Sequence, residues 1–202
     1  VTVENIQLDK NNRQKIKSIA LLKVGEPQFF QVRDLSAAAR LGIFGGAIGG
    51  ALQGNTDDQN SQKFVKLING KNIKLGEHIA LAVRSELEKT GLNVQYLSDQ
   101  VPKLAADKKS DDYSEIVTNK DAILNIWFGP VGFVNSAKFS TEYQPWLVVN
   151  ARLIDAKTKL TIYQKTFNVG YEGKFNNAEF ITLDSKYNFG DAQDLFKRFD
   201  FA

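Results

Sequence analysis

Apolar and polar positions alternate most regularly in two neighbouring stretches, YQPWLVVNARLID at 143–155 and LTIYQKTFNVGY at 160–171. In the first, Leu147, Val149, Ala151 and Leu153 fall on one side of a strand. The short polar link AKTK joins the two, so they are read as an antiparallel hairpin that buries Val149 and Phe167. DAILNIWFGPVGFVN at 121–135 is a strand interrupted at Gly129–Pro130, with Ala122, Leu124, Ile126 and Phe128 on one side and Ile123, Asn125 and Trp127 on the other. LNVQYLS at 92–98 is a shorter strand. The run Ile19-Ala20-Leu21-Leu22 within KIKSIALLKV, 15–24, is apolar on both sides, the pattern of a central strand covered on both faces.

Helical spacing is clearest in GEHIALAVRSELEKTG, 76–91, where Ile79, Val83 and Leu87 recur every four residues and Gly91 stands at the C′ position. SQKFVKLI, 61–68, places Phe64, Leu67 and Ile68 on one helical face. A short C-terminal helix, DAQDLFKRFDFA, has Leu195, Phe196 and Phe199 for docking. Asp34 or Ser36 can cap a helix in the alanine run that follows, and Gly54–Asp58 reads as a solvated turn. VPKLAADKKSDDY is a polar connector, and DYSEIVT, 112–118, a helical turn. Residues 1–15 are a polar tail or tether able to add an edge strand. Residues 16–202 are then one α/β domain: a mixed sheet with helices packed mainly on one face, a C-terminal antiparallel hairpin, and a glycine-rich segment at 41–54.

Composition narrows the function classes. With 43% hydrophobic and 24% charged residues, the 202-residue chain is globular. Its net charge of +3 arises from 26 Lys and Arg interleaved with 23 Asp and Glu, without the basic stripe that a nucleic-acid partner requires. No cysteine is present, which removes disulfides, thiol catalysis and thiolate metal sites. Neither is there a methionine, so a chain beginning at Val1 is read as a processed or trimmed form.

Catalytic candidates are few. His78, the single histidine, lies at the edge of the helical stripe without an HExxH pattern. Asp57-Asp58 and Asp111-Asp112 lack the oxygen spacing of a calcium loop and are read as solvated turns. Ser36 and Ser61 lack a GxSxG context. The chain is therefore expected to be no enzyme, with no cofactor and no metal. Trp127 and Trp146 head an aromatic-rich region that reads either as packing or as a groove for a small ligand or glycan.

LGIFGGAIGGAL, residues 41–52, is uncharged. As a helix it would span about 18 Å, too short for a hydrocarbon layer of about 30 Å. It has no GxxxxGK[ST] pattern for phosphate. Gly42, Gly46 and Gly50 are four apart, which on a helix leaves a flat strip open to close backbone approach. Ile43, Phe44, Ile48 and Leu52 fill the remainder. Each interior glycine costs about 1 kcal/mol against alanine, so the segment is expected to be at least partly helical and packed on protein or membrane. Gly46, Gly50 and those four apolar residues are the candidate contact surface, together with Trp127 and Trp146.

The strand KSIALLKV, the helix GEHIALAVRSELEKTG followed by LNVQYLS, and the hairpin YQPWLVVNARLIDAKTKLTIYQKTFNVGYEG resemble uncharacterised lipoproteins of Gram-negative envelopes. Their domain is similar to the amino-terminal domain of TolB and to the periplasmic part of the curli secretion lipoproteins. In the hairpin, Asp155 stands at the acidic turn and Tyr163 at the aromatic position of the return strand. The resemblance spans about residues 15–171 and implies a non-catalytic periplasmic protein. Its lipid anchor would sit on a cysteine preceding Val1 and removed from this form. The resemblance further implies binding to a cell-envelope protein, a membrane surface or a second copy of the chain, in envelope assembly or secretion.

Replacing Gly46 and Gly50 with leucine tests the glycine strip. Bulk there is expected to reduce crosslinked partners recovered from envelope fractions, or to lower thermal stability where the contact is internal. Equal recovery by two equally stable proteins would remove the contact-surface reading.

Overall fold

The structure, a computed structural model, describes residues 3–36, 50–107, 110–136, 141–171 and 177–199, with only the backbone of 50–55. The helix expected in the alanine run, and the contacts of Ile43, Phe44, Gly46, Ile48, Gly50 and Leu52, lie outside the described residues. In chain order the elements are α1 Lys10–Lys15, β1 Ser18–Leu22, β2 Phe30–Asp34, α2 Gly50–Gly70, α3 Leu75–Lys89, β3 Asn93–Leu97, β4 Lys103–Leu104 and β5 Asp111–Asp112. There follow β6 Ala122–Asn135, β7 Gln144–Asp155, β8 Thr161–Gly170, β9 Ala178–Ile181, a 3-10 turn at Ser185–Tyr187 and α4 Ala192–Arg198.

Among the described residues seven strands form one mixed sheet in the order β3-β1-β6-β7-β8-β9, with β2 also on β6. Strand β6, 14 residues long, organises it. Its first residues pair in parallel with β1, Ile19 opposite Ala122. Its last pair in parallel with β2, from Phe30 opposite Val131 to Asp34 opposite Asn135. Along its other edge lies antiparallel β7, which in turn pairs with β8 as the expected hairpin. The interruption expected at Gly129–Pro130 is a register shift within a continuous strand, between Phe128 and Val131. A bulge tolerates proline because no ladder donor is needed there. At Gly132, φ is +149°, and a Cβ would stand 1.7 Å from the Gln31 carbonyl oxygen, so β2 can lie there only beside glycine.

Helices cover one face, as expected. Beneath α3 lie Ile19, Leu124, Ile126 and Leu153. Beneath α2 and α4 lie Val32, Phe133 and Tyr143, packed with Phe64, Ile68, Leu195 and Phe199. The Phe64 ring meets Phe133 and Phe199 edge-on at centroid distances of 5.5 and 5.1 Å. The opposite face has no helix among the described residues. There Ala20, Leu22, Ile123 and Ile154 pack under Tyr113 and Ile116, and Val134, Trp146 and Val148 pack with Leu35 and Tyr171.

Several expectations are corrected. Strand β2 was not anticipated. Gly54–Asp58 is not a solvated turn but part of α2. Asp111–Asp112 pairs with β4 within the connector. DYSEIVT contains only a backbone turn, in which the Ile116 N–H donates to the Tyr113 carbonyl at 3.1 Å. Residues 3–15 carry α1, capped by Asp9, and Ile6 makes an antiparallel bridge with Gln164.

The reason for α2 lies on the free edge of β2. The Val32 N–H donates to Ser61 Oγ at 3.0 Å, and the Asp34 N–H donates to Asp57 Oδ1 at 3.0 Å. Alternate residues of a strand send their N–H groups to the same edge, and residues four apart on a helix share one face. One turn of α2 therefore satisfies two edge donors that β6 cannot reach. Burial pushes the Asp57 carboxyl above its ordinary value, opposed by the Asp34 N–H and by Arg33. A carboxyl raised in the folded state favours folding below the unfolded value of 3.8 and loses that contribution as pH rises through its folded pKa. Asp57→Ala is expected to cost about 1–3 kcal/mol in chemical denaturation by orphaning the Asp34 N–H. Asp57→Asn, which keeps the acceptor, is expected to be neutral or stabilising at pH 7. Equal losses in both variants would exclude this account.

Candidate functional site

Helix α3 is buried more deeply at its N-terminal end than farther along. At its N-terminal end Gly76 and Ala80 are buried, and a Cβ on Gly76 would stand 2.5 Å from the Val24 carbonyl oxygen. Farther along, Val83 and Leu87 are only half-buried. Gly76 lets the first turn approach closely the chain that leaves β1. A cleft of about 780 Å³ opens beside Val83 and Leu87.

Its floor is the helical face of the sheet: Ile19 of β1, Leu124 and Ile126 of β6, Val149, Ala151 and Leu153 of β7, and Tyr163 and Phe167 of β8. Val83, Leu87 and Leu92 form one wall, and Leu8 and Ile16, flanking α1, line the end where β1 begins. The hairpin is antiparallel, as expected, and sets Val149 opposite Phe167, but the burial expected of both is only partial because each faces the cleft instead of a helix. The cause is coverage. Helix α3 has 15 residues and α1 has 6, while α2 and α4 pack around Phe133. The middle of β7 and β8 is left with an apolar face and no element above it among the described residues.

Polar groups enter the lining at few points. Arg13, Lys17, Thr90 and Gly91 are exposed and form part of the rim. Tyr163 is half-buried, and burial pushes its phenol above the ordinary value against the opposing charge of Lys165. No His, Ser, Asp or Glu is among the described lining residues. His78 is exposed and outside the cleft. Among the described residues no three His, Asp or Glu side chains converge as metal ligands would. No helix among them is long and apolar enough to cross a membrane.

The two tryptophans lie on the opposite face. They occupy neighbouring strands, Trp127 on β6 opposite Asn150 and Trp146 on β7 opposite Gly132. Four residues along β7 separate those positions, about 13 Å, so the structure does not bring them together. Trp146 is buried, with its ring edge-on to Tyr171 at 5.9 Å. Trp127 lies under the Arg152 guanidinium at 5.1 Å.

Arg152 is the centre of a polar cluster that sequence patterning missed. Its Nη1 donates to Asp111 Oδ2 at 2.9 Å and to the Tyr113 hydroxyl at 3.2 Å, and its Nε donates to Gln164. Asn125 Nδ2 donates to the same hydroxyl at 2.9 Å. Asp111, expected in a solvated turn, thus ties the connector to the sheet. One sequence signal existed: Asn125 interrupts the apolar alternation of β6.

No family model matches the chain, and no curated protein matches it. Several solved structures are similar, among them the following three. Lipoprotein GNA1162 from Neisseria meningitidis aligns at 10% identity over 79% of this chain and 86% of its own, with a TM-score of 0.37. Protein XCC0632 from Xanthomonas campestris, of family DUF330, aligns at 12% identity over 89% and 75%, with a TM-score of 0.40. A neuraminyllactose-binding hemagglutinin homolog from Helicobacter pylori aligns at 10% identity over 93% and 78%, with a TM-score of 0.34. At these values the likenesses assign neither a residue nor a ligand to this chain. One of the three is a lipoprotein; the TolB and curli-secretion particulars of the sequence resemblance are not confirmed by them.

Burial pushes the Tyr113 phenol up to about 12, against the opposing pull of Arg152 and of the Asn125 hydrogen bond. A pKa raised in the folded state means that its contribution is whole below the unfolded value of 10.0 and is lost as pH rises through about 12. Tyr113→Phe is expected to lower stability by about 1–3 kcal/mol at neutral pH, since Asn125 and Arg152 lose an acceptor. It should also flatten the alkaline decline, read from denaturant unfolding across pH 9–12. An unchanged alkaline profile would show that another group carries it.

Proposed function

We propose that this protein is a non-catalytic binding protein that takes an apolar small molecule into the cleft between α3 and the sheet. The observation that carries this reading is the cleft: about 780 Å³, floored by alternate residues of four adjacent strands. Small-molecule sites fall at about 300–1,000 Å³ and are mostly apolar with a few polar groups. The half-buried Val83, Leu87, Val149 and Phe167 retain apolar surface that an occupant would remove from water, at about 25 cal/mol per Å². The ligand-binding alternative drawn from the sequence is thus kept, but moved from the tryptophans to the other face.

An envelope setting with a lipid anchor, drawn from the sequence resemblance, is retained in this proposal. Docking of another envelope protein stands beside it. What favours docking is β9, a four-residue strand at the sheet edge on which Phe180 and Ile181 are exposed. The double-leucine comparison at Gly46 and Gly50, extended to Phe180→Asp, is its test.

For the cleft, the test is a neutral apolar fluorophore, N-phenyl-1-naphthylamine, with thermal unfolding in parallel. Binding at a hundredfold excess over Kd should raise Tm by about 5–10 °C. Ala151→Phe, which fills the floor without displacing a covering element, is expected to abolish the fluorescence gain while leaving the unliganded Tm within a few degrees. Undiminished binding to the Ala151→Phe variant would refute the assignment.

A further inference from the structure

We infer that the cleft selects a single-chain amphiphile with an anionic head, a long-chain carboxylate, whose head is held by Arg13 and Lys17. This rests on the apolar-ligand reading above and adds the charge and orientation of the occupant.

Both charged residues of the lining are cations, and both belong to one end. Arg13 lies on α1, and Lys17 immediately precedes β1. The same end holds Thr90 and Gly91, since Asn93, just after them, pairs with Ser18. The other end of the floor is apolar. Phe167 is four residues along β8 from Tyr163, about 13 Å away, and faces Val149. The cleft is thus polarised, with positive charge at the mouth and hydrocarbon surface beyond.

The two cations are not already neutralised. Asp9 accepts from the Asn12 N–H at 2.8 Å and from Asn12 Nδ2 at 2.7 Å. Asp121 Oδ2 accepts from the Lys17 and Ser18 N–H groups at 2.9 and 2.8 Å and from Ser18 Oγ at 2.8 Å. Glu88 pairs with Arg84, and Glu86 with Lys89. Neither Arg13 nor Lys17 has a carboxylate partner among the described residues. The C-terminal carbonyls of α3, which would repel an anion, are occupied by their own caps: Leu87 O by the Thr90 N–H and hydroxyl, and Glu88 O by the Gly91 N–H. Asp9 and Asp121 keep their charge near this end, but both are held by neutral donors and not by the charged groups of Arg13 or Lys17, and two cations without carboxylate partners beside an apolar floor match an amphiphile's two ends.

Displacement of N-phenyl-1-naphthylamine by dodecanoate and by dodecanol, both below their aggregation limits, tests this on the whole chain. Dodecanoate is expected to displace the probe from the native protein at a concentration about tenfold lower than dodecanol. The preference should shrink as salt is raised. In R13Q/K17Q it should disappear, while dodecanol binds as it does to the native protein, which also shows that the variant is folded. Equal displacement by the two compounds, or a preference that survives in R13Q/K17Q, would overturn the anionic assignment and leave the apolar cleft standing. Displacement by neither compound would overturn both.

Discussion

The molecule depends on how the two edges of β6 are used. One edge carries β1 at its start and β2 at its end, both parallel; the other carries β7 along nearly its whole length. This arrangement fixes which side chains share a face. It sets Leu124 and Ile126 beneath α3 and Phe133 beneath α2, so a single strand supplies both apolar clusters of the helical layer. Parallel strands cannot be joined by tight turns, and the helices come from the crossovers that such pairing demands. The bulge beyond Phe128 lets the strand serve both groups without a break.

Coverage is uneven because the helices are short against the sheet they protect. The buried glycine and alanine of α3 seat its first turns closely beside the chain that leaves β1, and its later turns are only half-buried. An apolar interior normally closes over such a gap. Here α1 and the α3 C-terminus stand on either side, and cations sit where water enters. The polar cluster around Arg152 and Asp111 is a different solution on the opposite face. With no helix there among the described residues, the connector is held by hydrogen bonds and an ion pair whose members are shielded by Trp127 and by each other.

Much of this was legible in the sequence, and the failures have physical causes. The hairpin, the double-sided burial of Ile19 to Leu22, and α3 with Gly91 after its cap are written in local periodicity. Strand β2 was hidden because its five residues gain their meaning from partners about a hundred positions later. Gly54 to Asp58 looks like a turn by composition, yet Asp57 and Ser61 are the acceptors that β2 needs. Their polarity is a sign of edge sealing and not of solvation. The cleft could not be read at all. The pattern of β7 and β8 reveals an apolar face but not which helix fails to cover it. Arg13 and Lys17 fell in or beside a segment whose composition resembles a tether.

The placement of β1 also bears on how the chain is made. Both of its neighbours in the sheet arrive later, and Ser18 is tied to Asp121 across a separation of 103 residues. The amino-terminal stretch waits longer still, since Glu4 accepts from Gln164 across 160 residues. At about 5–20 residues per second, a ribosome needs roughly 10–30 s to supply that partner. Strand β1, apolar on both faces, waits a shorter time, about 75 residues or roughly 4–15 s, before β3 emerges to pair with it. Vectorial synthesis therefore leaves the amino-terminal segment without its native partners until the last third of the chain has emerged.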